Sequence, residues 1–312
     1  MWGKLAQAGA GLLAAMMLAP GGPMGADAQP SSDIRSWAFQ LQDVDPSEIK
    51  ASPYDLVVID YGFDKDNAGA FPREVVDLMR RKPDGSRRQL FAYLSIGEAE
   101  DYRYYWRSSW RRTRPEWLEP ENPDWPGNYL VQYWRPEWQS VLFGNPNAYL
   151  DHIIDAGFDG AYLDGVDKFA AWRKRRPSAA TDMIDLVGNI GSYARGRNKN
   201  FKIIPQNGDD LLTYPSFLNV IDGYAREELL YGEEHRSARN PPENIAETVQ
   251  RLRKVTLAGK PVLVVEYPSD SEQAASALRE IKNLGFVGYV AKRDLNTLSP
   301  PVFGCGRPDC SQ

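Results

Sequence analysis

A chain of 312 residues, 42% hydrophobic and 25% charged, is too long for a small stapled domain and has the make-up of an ordinary globular protein. Its net charge of −5 gives no field that would favour nucleic acid or an anionic membrane as a partner. The two cysteines alone cannot make a zinc centre, and the chain has only two histidines, His152 and His235.

The N-terminus opens with Lys4, an apolar stretch "AGLLAAMMLAP" and the A-x-A signal "ADA" at 26–28. This pattern predicts a signal peptide over residues 1–28, cleaved before Gln29, and a secreted or periplasmic mature chain. An uncleaved anchor is the alternative reading, and no second apolar stretch long enough to span a bilayer follows. The domain then covers 29–304. A tail over 305–312 holds Cys305 and Cys310 in "CGRPDC", which could close a disulfide in an oxidising compartment.

Eight strand-like runs follow in order: "WAFQL" (37–41), "DLVVID" (55–60), "LFAYLS" (90–95), "GAYLD" (160–164), "FKIIPQ" (201–206), "VIDGYA" (220–225), "VLVVEY" (262–267) and "FVGYVA" (286–291). Most are β-branched or aromatic and bounded by turn formers. Helical patterns fill the gaps: "PREVVDLMRR" after the second run, "PNAYLDHIIDAG" before the fourth with Gly157 as C-cap, and "TDMIDLVGNIGSYAR" after it with Thr181 as N-cap. "PENIAETVQRLRKVTLAGK" and "SEQAASALREIKNLG" follow the sixth and seventh. Alternation of this kind predicts an α/β fold, a single (β/α)8 TIM-like barrel. A doubly wound sheet would also alternate, but "DVDPSE" stands where its glycine-rich dinucleotide loop belongs. After the third strand comes a long aromatic-rich loop, 101–140, and a loop of that length usually carries a function.

In such a barrel the C-terminal strand ends form the active face. Here those ends read Gln40 and Gln42, Asp60-Tyr61-Gly62, Ser95 then Glu98, Asp164, Gln206-Asn207-Gly208, Glu227 and Glu228, Glu266-Tyr267, and Lys292. One acid at a strand end is usually a helix cap. Several at equivalent positions repel one another, and a metal, a cationic ligand or acid–base chemistry must offset the repulsion. No strand end carries a histidine, so His-ligated metal hydrolysis and Ser–His chemistry lack their parts. Glycoside hydrolysis needs only two carboxyl groups across the scissile bond, with aromatic platforms for the sugars. The 12% aromatic content, with 9 Trp and 16 Tyr, supplies the platforms.

The motifs "VVIDYG" (57–62), "YLSIGEAEDYRYYW" (93–106), "GFDGAYLDGVD" (157–167), "IPQNG" (204–208) and "IDGYAREELLYG" (221–232) closely resemble glycoside hydrolase family 114, the endo-α-1,4-polygalactosaminidase-like barrels. Relatives also carry the label cysteinyl-tRNA synthetase-related, but the HIGH and KMSKS nucleotide motifs are missing from this sequence. The resemblance implies hydrolysis of an α-1,4-linked aminosugar polymer by a catalytic pair that falls on Asp164, as nucleophile or base, and Glu227, as general acid, with Glu228 the one-residue alternative. It implies that Asp60, Glu98 and Asn207 hold substrate hydroxyl or amino groups, and that Tyr61, Tyr93, Tyr102 and Tyr267 pack and hydrogen-bond there. A mouth lined by these acids and Glu266 would attract a cationic sugar. The expected partner is a polysaccharide, bound by a monomer without cofactor or metal. Rival readings are a non-catalytic carbohydrate-binding barrel and a barrel hydrolase using a divalent metal. Duller roles exist for single residues: Glu98 pairing with Arg103, Asp167 capping "KFAAW", and Tyr102, Tyr105 and Trp106 pinning the long segment, while Trp110, Trp117, Trp125 and Trp134 could form a wet aromatic shelf.

Overall fold

Strands that are apolar along their whole length are satisfied when both faces are covered, as in a parallel sheet wrapped by helices. The computed structural model, which describes residues 34–63, 69–232 and 238–300, has this arrangement. In chain order β1 (Trp37–Gln40), α1 (Pro46–Ala51), β2 (Leu56–Ile59), α2 (Arg73–Met79) and β3 (Gln89–Ser95) come first. An insertion follows, with β4 (Glu98–Glu100), β5 (Leu118–Glu121), β6 (Asn128–Val131), α3 (Pro136–Leu142) and α4 (Tyr149–Ala156). The chain continues through β7 (Gly160–Asp164), α5 (Phe169–Trp172), α6 (Ala179–Arg197), β8 (Lys202–Pro205) and α7 (Pro215–Val220). It closes with β9 (Tyr224–Glu227), α8 (Pro242–Leu257), β10 (Val262–Glu266), α9 (Ser271–Asn283) and β11 (Val287–Val290). The signal segment, His235 and both cysteines lie outside the described residues.

Eight strands pair in parallel, β1-β2-β3-β7-β8 in one sheet and β9-β10-β11 in another. Past the end of β8, Gln206 bridges Ala225 of β9, and the Asp222 amide donates to the Ile203 carbonyl at 2.8 Å, so the sheets are joined there. On the other side the Trp37 indole of β1 donates to the Val287 carbonyl of β11 at 2.9 Å. This is the strand order of a (β/α)8 barrel. Side chains fill its interior: Trp37 lies 6.3 Å from Tyr162 and 5.8 Å from Tyr289, and Phe39 lies 5.1 Å from Tyr162. Strands β1 and β7 are not neighbours in the sheet, so the contacts with Tyr162 cross the barrel.

Three local expectations are corrected. The sixth strand is Tyr224–Glu227, not 220–225, because "PSFLNV" takes a helical turn that ends at Val220. Glu227 is therefore the last residue of its strand, as Asp164 is of β7. Helix α6 starts at Ala179, and the Thr181 hydroxyl donates back to the Ser178 carbonyl at 2.9 Å instead of capping. The segment 101–140 is no bare loop, since β4, β6 and β5 form an antiparallel sheet across it.

The glycine behind Asp164 has a steric cause. Gly165 is left-handed at φ 72°, and its backbone lies against Gly97, where a methyl group would overlap the Gly165 carbonyl oxygen. The Ile96 amide donates to the Asp164 carbonyl at 2.9 Å in the same crossing. Gly97→Ala should therefore lower stability by about 3 kcal/mol or more. Urea unfolding of the variant against the parent checks this, and an unchanged midpoint would contradict it.

Candidate active site

A cavity of about 310 Å³ opens where β1, β2, β3, β7, β8, β9 and β10 end. Of the residues expected there, Asp60, Tyr93, Glu98, Tyr102, Asp164, Asn207, Glu227 and Tyr267 line it. Asp164 and Glu227 meet across one amide. The Gln206 Nε2 atom lies 3.4 Å from Asp164 Oδ1 and 3.1 Å from Glu227 Oε2, and the Tyr162 hydroxyl holds the other end of that amide at Oε1. The remaining oxygens are held by phenols, with Tyr93 donating to Asp164 Oδ2 at 2.6 Å and Tyr267 donating to Glu227 Oε1. The Gly165 amide adds a 2.7 Å bond to Asp164 Oδ1.

Backbone geometry fixes the second acid. Asn207 sits at φ 59°, a left-handed position that Asn tolerates, and its Oδ1 accepts the Glu227 amide at 3.1 Å. Glu228, at φ 57°, turns away and pairs with Arg293. Of the two, Glu227 is the acid that shares Gln206 with Asp164.

Eight carboxylates and three cations line the cavity. Each cation already has an acid. Arg103 binds Asp60 at 2.7 Å and Glu100 at 2.8 Å, Lys168 stands 3.3 Å from Glu98, and Arg293 holds Glu228. Asp164, Asp167 and Glu227 have no ion-pair partner among the described residues, so the cavity keeps an uncompensated negative side. Burial raises the pKa of all three, the Tyr93 hydrogen bond offsetting it in part at Asp164 and Lys168 at Asp167. At Glu227 burial wins over the Tyr267 hydrogen bond, and the value is pushed up to about 7.

The duller roles are revised. Glu98 pairs with Lys168 and accepts the Asn122 amide at 2.7 Å, while Arg103 goes to Asp60 and Glu100. Asp167 lines the cavity and makes no cap bond to the helix after it. Three of the four shelf tryptophans serve packing: Trp110 and Trp117 meet at 5.1 Å, and Trp134 packs on Trp172 at 4.7 Å. Only Trp125 of the four is exposed, at 56%.

Tyr61 and Glu266 are not brought to the cavity. Tyr61 is buried against Tyr149, with ring centres 4.8 Å apart, behind the wall. Glu266 is 0% exposed, and its Oε1 accepts the Leu230 amide at 2.7 Å, anchoring the loop that follows Glu227. Burial pushes its pKa up to about 8 from 4.5, against the Leu230 hydrogen bond. The folded chain thus keeps a proton that the unfolded chain loses near pH 4.5, so stability should fall as pH rises from about 4.5 to 8. Glu266→Gln keeps the acceptor and should flatten that fall in a Tm series. Glu266→Ala should lose about 1–3 kcal/mol below about pH 4.5, where the parent carboxyl is neutral, and the deficit should shrink as pH rises.

Sequence reading missed Arg103 as the link between Asp60 and Glu100, as well as the roles of Gln206, Lys168 and Arg293. Gln206 stood in the row of strand ends, but an amide among acids carries no signal of its own. Arg103, Lys168 and Arg293 each lie beyond a strand end, where only the turn geometry decides what they reach.

Comparison with known proteins decides the family. The model of glycoside-hydrolase family GH114 matches residues 23–303. The chain belongs to family GH114. Among its relatives, an uncharacterized protein of Methanocaldococcus jannaschii is 40% identical over 273 residues, covering 83% of this chain and 75% of its own. An uncharacterized protein of Thermotoga maritima is 37% identical, covering 83% and 81%. The glycoside hydrolase domain of PelA from Pseudomonas aeruginosa shares the fold, with a TM-score of 0.65 at 19% identity over 85% of this chain and 97% of that domain. As a member of GH114, the chain is a glycoside hydrolase, and its substrate is a polysaccharide.

Proposed function

We propose that this glycoside hydrolase cleaves an α-1,4-linked aminosugar polymer of the polygalactosamine type, by two carboxylates and with retention. The observation that carries the reading is the Gln206 amide shared by Asp164 and Glu227. Two oxygens at 3.4 and 3.1 Å from one nitrogen are at most about 6.5 Å apart, and about 5.6 Å if the N–H bonds diverge at the usual amide angle. Retaining pairs stand about 5–5.5 Å apart and inverting pairs about 6.5–9.5 Å, so the spacing favours double displacement.

Asp164 attacks the anomeric carbon while Glu227 gives its proton to the departing glycosidic oxygen. Water then attacks the glycosyl ester, losing a proton to Glu227, and Asp164 leaves as the carboxylate. The phenol of Tyr93 and the amide of Gly165 stabilise the charge on Asp164, whereas Glu227 is well placed to stay protonated near neutrality. The uncompensated acids of the cavity favour a sugar bearing an ammonium group. The signal-like N-terminus fits a protein that meets its polymer outside the cytoplasm, acting as a monomer.

The pH profile follows from these assignments. Activity should fall above about pH 7 as Glu227 loses its proton, and again on the acid side as Asp164, itself raised by burial, takes one up. A kcat/KM profile between pH 4 and 9 reads both limbs, and a rate still climbing at pH 9 would contradict the general-acid role. Substrate class is tested by incubating the chain with α-1,4-galactosamine polymer, its N-acetylated form and a neutral α-glucan, and counting new reducing ends. Cleavage of the cationic polymer above the other two supports the reading, and preference for the neutral glucan overturns it.

A further inference from the structure

The cavity of about 310 Å³ lies at the small end of ligand sites, which run to about 1,000 Å³. It can take the sugars that flank one bond, but not a polymer. Beside it, on the inserted antiparallel sheet, lies a second concavity of about 630 Å³, lined by Asp101, Tyr102, Arg111, Arg114, Glu121 and Tyr129 together with Pro126 and Gly127. Tyr102 lines both, and the turn 125–127 divides them: Trp125 faces the first, and Pro126 and Gly127 the second.

We infer that the inserted sheet carries a distal sugar-binding subsite, reached over Trp125, which grips the polymer beyond the units held in the first cavity. This rests on the hydrolase reading above and adds where the rest of the polymer lies. The Trp125 indole is left 56% exposed at the mouth of a polar cavity, whereas the other shelf tryptophans are packed against neighbouring rings. A pyranose ring stacking on it would cover that surface. Beyond it, charges are balanced rather than negative. Arg111 is paired with Asp101 at 2.7 Å, and Glu121 accepts the Gly127 amide at 2.7 Å. Arg114 faces no carboxylate within ion-pair range among the described residues, which leaves its donors for sugar hydroxyls. The distal unit is therefore held by its ring face and hydroxyls, whereas the first cavity selects the ammonium.

The test uses the full chain carrying Asp164→Asn, so that ligands persist, and measures calorimetric affinity for α-1,4-galactosamine oligomers of two to eight units. Affinity should rise about tenfold or more once oligomers outgrow the first cavity. Adding Trp125→Ala should remove that rise, and adding the exposed Arg114→Ala should weaken only the longest oligomers. A plateau at the shortest lengths, or an equal loss at every length with Trp125→Ala, overturns the subsite. Reducing-end release by the unsubstituted chain separates the two claims. Release without length-dependent affinity sinks the subsite alone. Length-dependent affinity without release keeps the subsite and sinks the hydrolase reading. Failure of every oligomer to bind sinks both.

Discussion

Asp164→Asn should reduce the release of reducing ends by on the order of 10⁴-fold or more, because the substituted amide cannot form the glycosyl ester. Of the other acids lining the cavity, Glu228 is committed to Arg293, Glu98 to Lys168 and Asp60 to Arg103, whereas Asp167 has no ion pair among the described residues. The fold should not suffer. Asn has the same shape, and its oxygen can still accept from the Gly165 amide or the Tyr93 phenol. The carboxylate it replaces is partly buried without an ion pair, and burial raises its pKa, so neutralising it relieves strain of charge. A variant with an undiminished Tm and lost activity is the expected result. Retained activity would remove Asp164 from the chemistry.

Glu227→Gln should lower kcat/KM by about 10²–10⁴-fold on the polymer, the usual worth of a positioned proton donor. The deficit should shrink on an aryl glycoside with an acidic phenol, which leaves without being protonated. The alkaline limb near pH 7 should vanish from the residual activity, since no other group with that pKa stands at the leaving oxygen. Glu228→Gln offers the contrast. It breaks the contact with Arg293 but leaves Gln206 and Tyr267 on Glu227, so its effect should stay well below that of Glu227→Gln. An equal loss in both variants would mean that the loop, not the proton, had been tested.

The barrel was legible because parallel strands buried on both faces leave unbroken apolar runs, and seven of the eight stood where the pattern put them. The sixth did not, since "VIDGYA" is apolar enough for a strand while the preceding Pro215 starts a helical turn that carries through Val220. Strand-end acids were legible as a set, but which of them face the cavity was not. Glu266 and Glu227 both end strands, yet one points its carboxyl at the Leu230 amide and the other at Gln206. That difference lies in side-chain direction within the ring of strands, which no spacing reveals. The inserted sheet was hidden for another reason. "LEPE" and "NYLV" are short, and Leu118 and Glu121 pair with β6 through an irregular register, so neither run shows a clean alternation.

The central claim is that Asp164 becomes covalently joined to the sugar while Glu227 serves the leaving oxygen. It is met most directly by trapping. The Glu227→Gln chain, given an activated galactosaminyl substrate whose departure needs no acid, should accumulate a glycosyl adduct that peptide mass spectrometry places on Asp164. An adduct on another residue, or free sugar of inverted configuration with no adduct at all, would contradict it.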